Sequence, residues 1–368
     1  MSPYYELQGV DFFTVWEYIP LLNRKKGVNM DILKARENSL LPELASFEGQ
    51  EFFRRPGRRT VEMYIKGPPQ GINENTGIML VSHNWGGTWK MCVPWCDVLS
   101  FKFNLICVSV NYLQSGGEWS AYCPTYDHGV LQTGDCLRAL YHVRNFLQEK
   151  GIHINFRRCY AAGASGGGNI SQMLNKFAPR TFGCIIDLCG MAKLSRETAL
   201  GLKGLNAGYS EDPEAENYLS AAMQEIRNIG DPEHLKLQYA ANKDAKIVIV
   251  HGQDDDACPC HEKVQAFANM IKAGFQVDGY FITPAMVDDL ILTTTGHQVG
   301  DRAYVIAKYG QPYMSEKGEF IKLAPEENDF VRKAPIIYPC TGGCYRIDYS
   351  EAPAILFEKE GGELSKSI

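Results

Sequence analysis

The side chain best placed for nucleophilic chemistry is Ser165, in Gly163-Ala164-Ser165-Gly166-Gly167. Glycine two positions before and after a serine suits a tight, strained turn that lifts the hydroxyl away from its neighbours, because a larger side chain there would collide with them. A serine hydroxyl is a poor nucleophile near neutral pH. It needs a base within hydrogen-bond reach, and the base needs an acid to orient it. The chain carries both types downstream. His251-Gly252-Gln253-Asp254-Asp255-Asp256-Ala257-Cys258-Pro259 holds three consecutive carboxylates, and Thr295-Gly296-His297-Gln298 holds a histidine. Of the eight histidines, only His251, His261 and His297 fall between the strand before the acidic run and the C-terminal tail. His251 belongs to the acidic segment and His261 opens a helix. The pentapeptide is a weak signal alone: in a chain with 35 glycines, a plain strand-to-helix turn looks the same. A phosphate-binding loop would end in Lys-Ser or Lys-Thr, which this one does not.

These residues need a scaffold. Ile78–Val81, Leu105–Val110, Cys159–Ala162, Cys184–Ile186 and Ile247–Val250 are short apolar runs, as expected of parallel strands buried on both faces. Helical patterns lie between them. Within 130–147, Val130, Leu137, Leu140, Tyr141 and Leu147 share a face; within 262–275, Val264, Phe267, Ala268 and Ile271 do the same. Strands alternating with helices predict a parallel sheet covered on both sides. Cys159–Ala162 runs straight into the serine pentapeptide and a helix over Asn169–Phe177 follows, so Ser165 sits at a strand-turn-helix junction. Thr60–Lys66 alternates like a strand, Phe12–Leu22 is apolar and Asn29–Leu44 looks helical. Residues 191–243 are long and helical, clearest at Leu219–Ile229. Glu319–Leu323, Ala334–Tyr338, Tyr345–Tyr349 and Ile355–Glu358 read as short strands between Gly and Pro turns.

With these residues in view, the chain resembles the α/β-hydrolase superfamily over roughly Thr60 to Lys308, closest to its esterase and prolyl-oligopeptidase-like branch. The pentapeptide resembles the G-x-S-x-G nucleophile elbow, and the family's chain order is serine, acid, histidine. The acidic segment resembles the H-G-x-x-D-x-x-x-P turn that carries the acid; the matching position is Asp255, with Asp254 and Asp256 as immediate alternatives. A Gly-His pair after the last sheet strand is where the family keeps its base, here His297. His83-Asn84-Trp85-Gly86-Gly87 is similar to the H-G-G-G or H-G-x-G-G oxyanion loop, with Asn84 in place of the first glycine. The resemblance implies backbone donors at Trp85 or Gly86 and at Gly166. Tyr126-Asp127-His128-Gly129 also resembles a bacterial branch, some members of which accompany surface-glycan or flagellar modification. The implied architecture is an α/β-hydrolase fold: a mostly parallel sheet with helices on both faces. An N-terminal extension would occupy 1–55, the hydrolase domain 56–312 with a helical cap about 191–243, and a small β-rich extension 313–368.

Composition narrows the partners. The 368 residues are 45% hydrophobic and 22% charged, enough for a large core, and the net charge of -6 offers no electrostatic footprint for nucleic acid or anionic membrane. The basic cluster of Arg54, Arg55, Arg58 and Arg59 reads as a solvated loop or strand edge. No run is long enough to span a membrane and the N-terminus lacks a signal-peptide pattern, so a cytoplasmic protein with free thiols among its twelve cysteines is expected. Cys258, Cys260, Cys340 and Cys344 could together hold zinc, but their spacing is irregular, and no metal or cofactor is expected. Trp85, Trp89, Trp95 and Trp119 cluster near the oxyanion loop and the next strand end. We read His83, Trp89 and Trp119 as substrate contacts, with sheet packing as the plain alternative; Asp187 and Cys189 could also touch substrate or serve only as turn residues.

The expected activity is hydrolysis of a small carboxylic ester, such as an O-acetylated sugar, through an acyl-enzyme. An exopeptidase or amidase would use the same residues, and a long N-terminal propeller, for which the chain has no room, would favour it. A catalytically silent fold used for binding is the third reading; an intact Ser, Asp and His set argues against it.

Overall fold

Apolar runs with no polar face can form strands only where both faces are covered. The computed structural model describes residues 41–51, 57, 59–117, 125–316, 327–362 and 364–365, and in it the five expected runs become the middle of one sheet. They are β3 (Gly77–Ser82), β4 (Leu105–Val110), β5 (Cys159–Ala164), β6 (Cys184–Leu188) and β7 (Lys246–Gly252), every residue buried. β1 (Leu44–Gly49), β2 (Arg59–Lys66) and β8 (Gln276–Ile282) complete eight strands in the order β1-β2-β4-β3-β5-β6-β7-β8. β2 pairs antiparallel with both β1 and β4, and all other neighbours are parallel.

Alternate residues of each central strand enter two cores. Ile78, Leu80, Ile247 and Ile249 face one side, with α2 (Leu131–Glu149), α3 (Gly166–Phe177) and α7 (Cys260–Ala273). Met79, Val81, Val248 and Val250 face the other, with α1 (Trp89–Phe103) and α8 (Arg302–Met314). Between β6 and β7 the expected helical segment is present as three short helices: α4 (Arg196–Leu200), α5 (Ala221–Arg227) and α6 (Pro232–Ala241). Each begins at a polar side-chain cap, Ser195, Ser220 and Asp231 respectively. Tyr126, Leu194, Ala199, Ala207, Tyr209 and Leu219 form a small separate core there.

After α9 (Asp329–Arg332), the C-terminal strands β9 (Ile336–Cys340), β10 (Gly343–Asp348), β11 (Ala354–Lys359) and β12 (Leu364–Ser365) make an antiparallel sheet. It docks on the end of α3: the Tyr338 hydroxyl donates to the Lys176 carbonyl and the Tyr349 hydroxyl to the Phe177 carbonyl at 2.8 Å. These bonds satisfy carbonyls that a helix end leaves without partners.

Several expectations are corrected. Leu44, read as the end of a helix, begins β1, and the rest of that helix (29–40) lies outside the described residues, as do Phe12–Leu22 and Glu319–Leu323. The apolar face expected on α7 is not the buried one: Val264 is 43% and Ile271 51% exposed, while Lys263, Ala266 and Met270 are buried. The cause is electrostatic. Lys263 Nζ pairs at 2.5 Å with Asp187 at the end of β6, both side chains fully buried, and this turns the helix. Arg59 is not solvated; it makes a bidentate pair at 2.6 and 2.7 Å with buried Asp135. Arg54, Arg55 and Arg58 lie outside the described residues.

The Lys263–Asp187 pair yields a stability prediction. Removing one partner leaves a buried carboxylate uncompensated, which typically costs about 3–5 kcal/mol. Lys263→Met should lower unfolding stability by that order in urea titration, and Lys263→Met/Asp187→Leu should recover most of it. A single variant within about 0.5 kcal/mol of wild type, the range of an ordinary surface substitution, would contradict the buried pair.

Candidate active site

Ser165 caps the N-terminus of α3 with φ 57° and ψ −122°, a left-handed conformation that a non-glycine residue adopts at a cost of about 1–3 kcal/mol. The flanking glycines explain how the turn closes. A Cβ on Gly163 would lie 2.2 Å from the Gly167 carbonyl oxygen, and one on Gly167 2.1 Å from that of Ser82. The elbow is thus pressed against the ends of β3 and β5, and no larger residue fits at either position. The Ser165 N–H bonds the Leu188 carbonyl of β6 at 2.9 Å, tying the turn to the next strand.

The acid turn follows β7. Of its three aspartates, Asp255 is buried, whereas Asp254 and Asp256 are exposed. Asp255 Oδ1 accepts the N–H groups of Ala257 at 3.0 Å and Cys258 at 2.8 Å. Its carboxylate lies 2.9 and 3.0 Å from His297 Nδ1, so the imidazole donates from Nδ1 and its Nε2 is the nitrogen left to accept a proton. Asp254 instead accepts the Thr295 hydroxyl at 2.6 Å and so braces the histidine loop. That loop is closed by the Leu292–Gly300 bridge, and it approaches the acid turn closely: a Cβ on Gly252 would meet the Thr295 oxygen at 2.2 Å. The His297 side chain is 20% exposed.

Behind Asp255 lies His251, fully buried, with Nε2 2.8 Å from the Cys258 carbonyl and 3.3 Å from Asp255 Oδ2. Burial, then the Lys263 charge, lower its pKa, so it stays neutral, donating from Nε2 to the carbonyl.

The loop after β3 meets the elbow. A Cβ on Gly166 would lie 3.0 Å from the Trp85 nitrogen, so these two backbone segments are neighbours. As the first residue of α3, Gly166 has an N–H without an intrahelical acceptor. Of the two glycine-loop candidates, it is the Trp85 nitrogen that lies beside Gly166. The Trp85 ring stacks on Tyr126 with centroids 3.7 Å apart and planes 9° apart.

The three residues read as substrate contacts lie as follows. His83 is fully buried; Nε2 is 2.9 Å from Ser115 Oγ, Nδ1 is 2.9 Å from the Tyr112 hydroxyl, and the ring stacks on Tyr112. Burial pulls its pKa down to about 4. With both nitrogens engaged in the interior, it supports the loop from below. Trp89 packs on Tyr64 of the sheet edge at 5.3 Å and donates from Nε1 to Glu62 at 2.6 Å. Trp119 lies outside the described residues. The two cysteine pairs weighed for zinc do not converge among the described residues; the groups with metal-ligand spacing there are Cys189, His251 and Asp255, and Asp255, Cys258 and His297. The eleven described cysteines are free thiols. No described helix is long and apolar enough to cross a membrane.

Sequence reasoning passed over two supports. Tyr126 stacks on Trp85. Arg227 of α5, fully buried, donates Nε to the Asp127 carbonyl at 2.7 Å and lies 3.6 Å from the Asp127 carboxylate. The visible signal was Tyr126-Asp127-His128-Gly129 itself, singled out without a role.

Residues 125–284 match the sequence model of the prolyl oligopeptidase family. That span holds Ser165 and Asp255; it begins after the His83–Gly87 loop and stops before His297. No curated relative matches the sequence. The uncomplexed acylaminoacyl peptidase of Pyrococcus horikoshii has a TM-score of 0.52 and 16% identity over 80% of this chain and 45% of that one. An acylaminoacyl peptidase in complex with Z-Gly-Gly-Phe-chloromethyl ketone gives 0.52 and 15% over 80% and 45%. A fungal esterase from Rhizomucor miehei gives 0.45 and 16% over 74% and 91%. At such identities the likeness is one of fold, and the fold is that of the α/β hydrolases. The chain spans a little under half the length of the acylaminoacyl peptidases it matches.

Proposed function

We propose that this α/β-hydrolase-fold chain is a serine hydrolase that cleaves a small carboxylic ester through an acyl-enzyme. The observation that carries the reading is the His297–Asp255 bond at 2.9 Å, on loops at the same end of the sheet as the strained Ser165. Ser165 Oγ attacks the ester carbonyl carbon while His297 Nε2 takes its proton. Asp255 holds the imidazole in the tautomer with Nδ1 protonated and stabilises the imidazolium. The Trp85 and Gly166 N–H groups receive the oxyanion; a donor of this kind contributes about 2.7–4 kcal/mol to the transition state. His297 then returns the proton to the departing alkoxide, the C–O bond breaks, and water repeats the sequence to free the acid and Ser165.

A small acyl group such as acetyl fits the reading because the Trp85–Tyr126 stack stands directly beside the oxyanion donors. The face of such a stack suits the C–H surface of a sugar alcohol, so O-acetylated sugars are the proposed substrate class. The match of residues 125–284 to the prolyl oligopeptidase family supports a second reading, cleavage of a peptide or other amide by the same groups.

Activity-based labelling tests the chemistry first. A fluorophosphonate should attach to Ser165, located by peptide mass; folded protein that stays unlabelled would leave only a silent binding role. Acetylated sugars and p-nitrophenyl acetate set against aminoacyl p-nitroanilides then separate the readings: turnover of anilides above esters would overturn ester specificity.

A further inference from the structure

The carboxylate that orients His297 also lies within reach of a thiol. Asp255, Cys258 and a ring nitrogen of His297 present one carboxylate oxygen, one Sγ and one nitrogen within 4.8 Å of one another. We propose that these three side chains form an inhibitory site for a borderline-soft divalent cation such as Zn2+, which switches off the hydrolase proposed above by capturing its base. The inference rests on that reading for its consequence, though not for the binding itself.

The donor set selects the ion class. One thiolate, one imidazole and one carboxylate suit zinc and its neighbours, whereas Mg2+ and Ca2+ take oxygen ligands. The spacing of the imidazole and the carboxylate suits it too. At Zn–N and Zn–O bonds of about 2.0–2.1 Å and a tetrahedral angle, two such donors stand about 3.3 Å apart. His297 Nδ1 and Asp255 Oδ2 are now at 2.9 Å, so a shift of a few tenths of an ångström admits the ion. Three protein ligands leave the fourth tetrahedral position to water.

The reaction balances without any co-reactant. Cys258 is buried as a free thiol, and a cysteine binds a metal as the thiolate, so binding expels that one proton to solvent. The neutral imidazole keeps its own proton but moves it from Nδ1 to Nε2, because Nδ1 now binds the metal. The ion's two charges meet one thiolate and one carboxylate. Once Nε2 carries the proton it cannot accept another from Ser165, and hydrolysis stops while every residue remains in place.

A second group, Cys189, His251 and Asp255, shares the same carboxylate, with all three side chains buried. The His251 Nε2 is already committed to the Cys258 carbonyl. The front site has the partly exposed His297 and therefore a route in from solvent.

Cobalt titration followed by zinc inhibition tests the proposal on the full chain. Co2+ should produce a thiolate-to-cobalt charge-transfer band that saturates at one ion per chain, and Zn2+ should bleach it. Zn2+ should lower ester turnover at least about tenfold, reversibly with a chelator. Cys258→Ser should remove the band and raise the half-inhibiting zinc concentration, measured against its own zinc-free rate, at least about tenfold, within the 10–100-fold range seen when even a supporting metal contact is lost. His297→Gln should weaken cobalt binding by a similar factor, which keeps the test open if Cys258→Ser does not fold. Cys189→Ser should change neither readout. No band in wild type, a band that survives Cys258→Ser, or loss of the band in Cys189→Ser instead would overturn the site. The band needs no turnover, so metal binding without any hydrolysis would count against the proposed enzyme and not against the site.

Discussion

Ser165→Ala should reduce kcat on a small acyl ester by about 10⁴- to 10⁶-fold, the range spanned by removing single members of a Ser-His-Asp set. The substitution deletes one oxygen and leaves the backbone demands of the turn unchanged. Ala meets the same left-handed strain at φ 57° that Ser already meets, and the Ser165 N–H to Leu188 bond is kept. Stability in denaturant should therefore stay within about 1 kcal/mol of wild type, below the usual cost of a core deletion. The residual rate reflects binding and oxyanion donors acting on water. His297→Ala should fall to a similar level, and the double variant no further, because the two groups act as a unit. Steady-state kinetics with an active-site titrant checks this. A Ser165→Ala enzyme within tenfold of wild type would remove the acyl-enzyme mechanism.

The second large effect belongs to Asp255→Asn, expected at about 10⁴-fold in kcat. The physical reason is the tautomer. Asn can still offer its carbonyl oxygen to the N–H groups of Ala257 and Cys258, so the turn keeps its shape. That choice points the amide NH2 at His297 Nδ1, which must then accept, and the imidazole proton is forced onto Nε2. The base is lost with its geometry intact. Asp254→Asn removes an exposed acceptor of the Thr295 hydroxyl and should cost no more than about 1 kcal/mol, the net worth of an ordinary hydrogen bond, or several-fold in rate. Measuring kcat/KM for the Asn variants at 254, 255 and 256 decides the matter: the major loss at 254 or 256 would mean that the acid is not Asp255.

Both effects depend on supports whose visibility in sequence was uneven. The elbow was readable because everything it needs is local: an apolar run, two glycines, a serine and a helix start within twenty residues. The aspartate that meets His297 was readable only to within one position. Asp254, Asp255 and Asp256 are the same residue type on one turn, and only the loop carrying His297, 42 residues away, distinguishes them by which carboxylate it meets. The burial of Lys263 was not readable. Helical periodicity assigns a lysine to solvent, and its buried partner, Asp187, lies 76 residues earlier on a strand. His83 misled in the opposite sense: a histidine beside a glycine loop reads as a site residue, yet Tyr112 and Ser115 hold it in the interior.

Sequence alone determined the central sheet, because strands buried on both faces must be written as continuous apolar runs, and that pattern survives without knowledge of neighbours. It likewise determined that a serine sits on a glycine-flanked turn at the end of one such run. The tertiary structure decided what surrounds the end of the sheet that carries that serine. It placed Asp255 on His297, set the Trp85 nitrogen beside Gly166, and put Cys258 within reach of both Asp255 and His297. Those outcomes turn on hydrogen bonds and ion pairs between segments far apart in the chain. Their energies depend on distances of a few ångströms, which no local pattern of residue types records.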